Sequence, residues 1–385
     1  MNERKRIALL YVTNYDNATG FIIYLQNIVK NLKGLDDQFR PELTVLYSAN
    51  SPLEDLKKIG YPYATYYNIE KPLAVWVRAI NKFSRIVLGR PLIRPKVDAD
   101  FSFPALDFDI IRDVKTRVFW KEDFQENYYP QFFKPGAFQF VKEFFGHLQA
   151  NPKNLLVLSS HAAGNDFKTF YPTIKNKVHY LRFVSIIPEL PENSLDGILD
   201  KLKIVKPYFV VSNQFWPHKN HQLVLEAIDK LRQQGKLNFQ VVFTGKTTST
   251  RDEAYFPSLV SFINDHDLKE QVVITGFLDR EEQLLIMKHA LAVIQPSFFE
   301  GWSTVIEDGK ALGQYILAAD IPVNREQLEA NASFFDNKNA GELAFVMQEV
   351  LENRITRKPL DYSITIENFR KSLVALFELD KVATT

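Results

Sequence analysis

Apolar positions along this chain follow two periods in alternation. Ile7–Val12 is an apolar run of strand length, and after it Phe21, Leu25, Ile28, Val29 and Leu32 recur on one helix face. The loop 13–20, ending at Gly20, lies between, so the chain opens as strand, glycine-containing loop and helix. Further runs of strand length are Leu43–Tyr47, Asp109–Ile111, Arg117–Trp120, Leu155–Leu158 and Val178–Val184, with helical patterns such as Phe138–Leu148 between most of them. The rhythm breaks at Ile186–Asn193, where two prolines can continue neither a helix nor an inner strand.

A cleaner alternation follows. Tyr208–Ser212, Phe239–Phe243, Val272–Thr275, Leu291–Ile294 and Ile316–Ala319 read as strands. His221–Gln234 reads as a helix with Leu223, Val224, Ala227, Ile228 and Leu231 on one face and Gly235 at its end. Short strands apolar on both faces, alternating with helices, predict parallel sheets covered on both sides. The expected architecture is α/β, with two Rossmann-like parallel-sheet domains facing across a cleft. The expected divisions are 1–187, 188–364 and a C-terminal segment 365–385, whose helix Ile366–Leu379 packs back toward the first domain. Ligands of such sheets bind beyond the carboxyl ends of the strands.

A chain of 385 residues, 46% of them apolar, has material for two cores. A formal charge of +1 gives no electrostatic case for a nucleic-acid partner. With no cysteine, disulfides, thiolate metal sites and thiol nucleophiles are excluded, which fits a cytoplasmic location. The basic N-terminus leads into Ile7–Val12 without a small-residue cleavage site, so that run is expected to be a strand and not a leader. No stretch approaches the roughly 20 apolar residues of a membrane span. The seven histidines are scattered, and neither a His-Glu-x-x-His pair, a phosphate-binding Gly-Lys-Ser/Thr loop nor a Gly-x-Ser-x-Gly elbow occurs. No complete Gly-x-Gly-x-x-Gly follows the first strand. No metal and no resident cofactor is therefore expected.

The stretch Gln295–Gly313 concentrates candidate chemistry. A strand ends at Pro296, Glu300 and Gly301 occupy the turn, and a helix begins near Ser303 or Thr304. The free N–H groups of Ser303, Thr304 and Val305, with the helix dipole behind them, favour an anion such as a diphosphate. Asp308 lies one turn in, on the face of Thr304. Two carboxylates beside an anion site make sense as acceptors for sugar and ribose hydroxyls. Thr304 and Glu307 match a capping box, which makes Glu307 structural. Taken alone, the segment is equally a well-capped helix after a strand.

Glu300 to Asp308, in a Pro-Ser-x-x-Glu-Gly context, resembles the E-x7-E element of family 4 retaining glycosyltransferases, of the GT-B superfamily. Pro322-Val323, in a following strand or turn, is also similar. The resemblance implies that Glu300 meets the transferred sugar and that Asp308, one methylene shorter than the family's Glu, holds the ribose. Val211–His221 resembles the segment where the family grips the diphosphate with Arg and Lys. Lys219 matches the Lys, and Gln214, after Asn213, stands in place of the Arg as a weaker neutral donor. Phe243–Lys246 and Ile274–Leu278 carry Gly245, Gly276 and Phe277, and the second of these loops is implied to border the nucleobase. Gly20 matches a glycine near the donor phosphates, and Gly301 and Trp302 belong to the donor loop. Trp120–Pro130 is similar to a Trp…Asp-Phe-Gln-His…Pro segment, with Glu126 at the His position. Asp123 there is a candidate to face the acceptor and equally a cap. Ser159–Phe167 is also family-like, with His161 expected in a loop near the cleft.

The implied activity is that of a metal-independent hexosyltransferase. It would move a sugar, with retention, from a nucleotide-diphosphate donor to a hydroxyl of a glycan or lipid-linked acceptor, in bacterial-type surface polysaccharide synthesis. The departures at Gln214, Asp308 and Glu126 also fit a non-catalytic GT-B binding subunit, and a sugar-nucleotide epimerase shares the fold. One further segment stands apart. Lys71–Val97 holds Lys71, Arg78, Lys82, Arg85, Arg90, Arg94 and Lys96 and no acid, with Leu73, Trp76, Val77, Ile80, Phe83 and Val87 at helical spacing. It reads either as an interfacial helix drawn to anionic lipid at the inner face of a membrane, or as an amphipathic helix of the first core.

Overall fold

The computed structural model describes residues 3–12, 19–70, 75–88, 92–93, 96–105, 112–133, 135–236, 238–248 and 252–380. The loop 13–18 and the strand expected at Asp109–Ile111 lie outside the described residues.

Two parallel sheets carry the chain. The first comprises β1 (Arg6–Tyr11), β2 (Glu42–Tyr47), β3 (Ala64–Asn68), β4 (Lys96–Phe103), β5 (Arg112–Lys121), β6 (Leu155–Leu158) and β7 (Lys177–Tyr180), in the order β3-β2-β1-β4-β5-β6-β7. The second comprises β8 (Tyr208–Ser212), β9 (Gln240–Thr244), β10 (Val272–Gly276), β11 (Val293–Gln295), β12 (Ile316–Ala319) and β13 (Ala332–Phe335), in the order β10-β9-β8-β11-β12-β13. The strand order reverses between β1 and β4 in the first sheet and between β8 and β11 in the second. At such a switch point the two loops diverge and leave a crevice. The loops after β8 and β11 are those carrying Asn213–Lys219 and Pro296–Ser303.

Three strands escape the apolar pattern, each for a local reason. β3 is an edge strand, with Thr65 and Tyr66 exposed, so it needs no continuous apolar run. β4 is interrupted by Asp98 and Asp100, which reach Arg6 at 2.5 and 3.9 Å, and Asp100 also meets Lys115 at 2.8 Å. β13 is the opposite edge, only Phe335 being buried. Pro322-Val323 opens the helix Pro322–Gln327 and is neither strand nor turn, because proline at the first helical position costs no hydrogen bond. The strand expected to reach Val184 ends at Tyr180.

The helix Thr19–Lys33 lies over the first sheet and buries Tyr24, Leu25, Ile28, Val29 and Leu32. Gly20, expected in a loop, is the second residue of that helix and is exposed. The last helix, Tyr362–Leu376, shares this core. Phe369, Leu373, Leu376 and Phe377 are buried in it, and Phe377 meets Phe101 and Phe103 edge-on at 5.6 and 6.0 Å. Each such side chain contributes about 1.5–3 kcal/mol. In the second sheet every residue of β8 and β12 is buried, and the helix His221–Gln233 packs its apolar face there.

Candidate functional site

Glycine lets two loops of the second sheet close on one another. Gly245 has φ 143°, and a Cβ there would stand 2.2 Å from the Asn213 carbonyl oxygen and 3.0 Å from the Gln214 Cα. Its N–H donates to the Gly276 carbonyl at 2.9 Å, so the ends of β8, β9 and β10 form one surface. Gln214 is half-buried on it, and Phe277 is exposed beside Lys246, whose ammonium lies 5.6 Å from the ring centroid. The Asn213 amide donates to Gln295 at 2.9 Å. His221, the first residue of the following helix, is buried against Phe215 at 4.4 Å, and this burial lowers its pKa to about 3.

Lys219 and Glu300 come together across the crevice. Lys219 Nζ lies 2.6 Å from Glu300 Oε1, and the Gln295 amide donates to the same oxygen at 2.6 Å. The side chains are only 15% and 9% exposed, so the pair is sheltered without being sealed. The structure thus places a cation and an acid at one point on the switch-point crevice. Gln295, the last residue of β11, was missed because a single Gln ending an apolar strand carries no pattern.

The helix Thr304–Ala311 begins just beyond. Its cap is Ser303, whose hydroxyl accepts from the Ile306 N–H at 3.3 Å. The Thr304–Glu307 capping box does not form. Ser303 takes the cap, so Glu307 sits one position too far along to reach back, and Thr304 is exposed. Fully buried, Glu307 instead accepts from Lys310 and Gln327 at 2.9 Å each and from the Tyr362 hydroxyl at 2.6 Å. Burial and the Glu307 carboxylate push the Tyr362 phenol far above its usual range. Val305 is buried.

Asp308 is buried as well, and its oxygens are occupied. Arg280 donates to both, at 2.6 Å to Oδ2 and 2.5 Å to Oδ1, and the Ser185 hydroxyl donates to Oδ1. Arg280 directly follows the loop that carries Phe277, and only the folded chain brings it to Asp308. Neither Arg280 nor Ser185 stood out in the sequence, since neither belongs to a spaced motif.

The first domain closes on this site. A Cβ on Gly301 would lie 2.6 Å from the Glu122 carbonyl oxygen and 2.8 Å from the Asp123 Cβ, so the two loops touch because this residue has no side chain. Asp123 accepts from the Gln125 N–H at 2.9 Å, one position before Phe124, which caps the helix Gln125–Tyr128, while facing that loop. The Trp302 indole donates to the Phe183 carbonyl at 2.9 Å, and Phe299 packs 5.4 Å from Tyr128. Glu126 is buried 3.1 Å from Lys121. Desolvation works against the Lys121 ammonium, but Asp123 and Glu126 outweigh it and hold its pKa above the usual value. His161 is the first residue of the helix His161–Phe170 and not a loop residue. Its N–H and that of Ala162 donate to Glu326, from the second half of the chain, at 2.8 and 3.0 Å. Arg182 meets the same carboxylate at 2.7 Å. A Cβ on Gly20 would meet nothing within 4 Å among the described residues.

Residues 200–365 match the family model described as glycosyl transferases group 1. Over 167 residues the chain is 26% identical to the O-antigen chain mannosyltransferase RfbU of Salmonella typhimurium, a match taking in 43% of this chain and 44% of that protein. Among solved structures, Anabaena HepE in complex with UDP and glucose superimposes with a TM-score of 0.64 at 16% identity, over 98% of this chain and 97% of that one. A glycosyltransferase from Rickettsia africae gives 0.61 at 13%, over 98% and 95%. Residues 200–365 thus resemble the glycosyl transferases group 1 model, and the chain as a whole has the two-domain GT-B fold of these solved structures.

Proposed function

We propose that this protein transfers a hexose, with retention, from a nucleoside-diphosphate donor to a hydroxyl of a glycan or lipid-linked acceptor in bacterial-type surface polysaccharide synthesis. The observation that carries this is the meeting of Lys219 and Glu300 at the switch point of the second sheet, beside the start of the helix Thr304–Ala311. A donor diphosphate would take Lys219, Gln214 and the N–H groups at that helix start as hydrogen-bond donors, stabilising charge on the departing group. Glu300 would then turn to the sugar hydroxyls. Gly245, Gly276 and Phe277 would border the base. Asp123, touching Gly301, would lie on the acceptor side. Asp308 would hold the ribose by exchanging the Ser185 hydroxyl for a ribose hydroxyl while keeping Arg280. The likeness to a mannosyltransferase and to a UDP–glucose complex makes mannose and glucose the first sugars to try.

The test is nucleotide release from uridine- and guanosine-diphosphate hexoses, with and without membrane-lipid extract as acceptor. Release and a glycosylated product, both lost in Glu300→Ala, are expected. The occupied carboxylate of Asp308 favours a second reading, a binding subunit without catalysis. Donor binding in calorimetry with no release on any acceptor would decide for it and against transfer.

A further inference from the structure

The helix Val75–Leu88 is amphipathic, and its apolar side is turned outward. The side toward the protein is Val77, Asn81 and Ser84, each less than a tenth exposed, and two of the three are polar. Asn81 holds Ile93 by both backbone groups at 2.8 Å, and the Ser84 hydroxyl accepts from the Leu92 N–H at 3.1 Å. On the outer side Trp76, Ile80, Phe83 and Val87 form one stripe, respectively 62%, 39%, 68% and 60% exposed, with Ile86 beside it at 78%. A helix packed in a globular core buries such a stripe. Lys82 and Arg85 are exposed on the side of the helix opposite the stripe, and neither has an acidic partner among the described residues. No acid occurs anywhere from 71 to 97.

We infer that this helix is an interfacial anchor that lies flat on an anionic lipid bilayer. The stripe supplies aromatic and aliphatic side chains to sink to the acyl boundary, and the basic residues of the opposite side lie at headgroup level. Charge decides against a second copy of the chain as the occupant. A symmetric pairing of this face would bring two basic segments together with no acid on either to neutralise them.

The experiment is co-sedimentation of the full chain with phosphatidylcholine vesicles, with and without about a third phosphatidylglycerol, at low and physiological salt. Wild type should bind the anionic vesicles, and binding should fall as salt rises. Lys82→Gln with Arg85→Gln should weaken it about 30-fold, from roughly a kilocalorie per charge near the surface. Phe83→Ser with Trp76→Ser should abolish it. These side chains are exposed, so the melting temperatures should hold. Sedimentation velocity on the same variants covers the other occupant. A dimer lost in the Phe83→Ser variant would overturn the inference, and so would vesicle binding that is equal in all variants or absent in wild type. The assay contains neither donor nor acceptor, so it can fail while the transferase reading stands, and the reverse.

Discussion

In this structure Lys219 and Glu300 satisfy one another, so removing either member should move nucleotide binding in opposite directions. The pair is 2.6 Å apart, with side chains 15% and 9% exposed. Fully exposed pairs are worth about 0.2–1 kcal/mol, and breaking a fully buried one costs about 3–5, so this pair belongs near 1–3. Lys219→Ala should lower stability by about 2 kcal/mol, since among the described residues Glu300 keeps only the Gln295 amide. Glu300→Gln should cost about 1, because the amide oxygen still accepts from Lys219. Toward a nucleoside diphosphate the two variants diverge. Lys219→Ala deletes a charge-assisted hydrogen bond to phosphate, about 1.5–3 kcal/mol, and should weaken binding roughly 10- to 150-fold. Glu300→Gln releases Lys219 from its carboxylate and should leave the diphosphate bound as tightly or tighter, while turnover of the sugar nucleotide collapses. Calorimetric titration with uridine and guanosine diphosphates, alongside urea denaturation, reads both quantities. Unchanged diphosphate affinity in Lys219→Ala would refute the reasoning, as would parallel losses in the two variants.

Asp308→Asn removes the charge and one of the two acceptors facing Arg280, which is partly exposed, and should cost about 2–3 kcal/mol in urea denaturation; a cost below about 0.5 would mean that the Arg280–Asp308 pairing is not formed in solution. Gly301→Ala should push the loop at Asp123 away and cut turnover at least tenfold while leaving diphosphate affinity intact, measured by steady-state kinetics beside calorimetry. His221 titrates near 3 when folded against an ordinary 6.5, so it resists the proton that the unfolded chain accepts. Its contribution is nil above pH 7, and below 6.5 it costs stability as pH falls, roughly 2 kcal/mol at pH 5. In His221→Phe the drop in urea midpoint between pH 7 and pH 5 should shrink accordingly, and an equal drop would show that another group is responsible.

Where burial and alternation coincide, the fold was legible. β8 and β12 are buried along their whole length, so their apolar runs were unambiguous. β3 and β13 sit at sheet edges and β4 carries two aspartates, so tertiary partners and not pattern made them strands. The site was legible as far as it is local. Lys219 and Glu300 each follow a strand within a recognisable segment, and the sheet order brings the two loops together. What Asp308 and Glu307 do was not legible, because their partners Arg280, Ser185, Gln327 and Tyr362 are 20 to 123 residues away in sequence. The helix cap went to Ser303 and not Thr304 by a shift of one position, which spacing alone cannot fix.

Tyr362 stands at a junction of three segments. Its hydroxyl accepts from the Ser185 N–H at 2.9 Å and donates to Glu307, while the Ser185 side chain donates to Asp308. The connector after the first sheet, the helix Thr304–Ala311 and the closing helix are therefore knotted at one buried point. Glu326 ties the halves a second time, at the helix His161–Phe170. Heat should meet such a molecule as one cooperative unit, with a single calorimetric peak whose van't Hoff and calorimetric enthalpies agree. Trimming the chain before Tyr362 would do more than strip cover from the first core. It would leave the buried Glu307 without its phenol partner, so a loss at the far end of the sequence would be felt in the helix that begins beside Glu300.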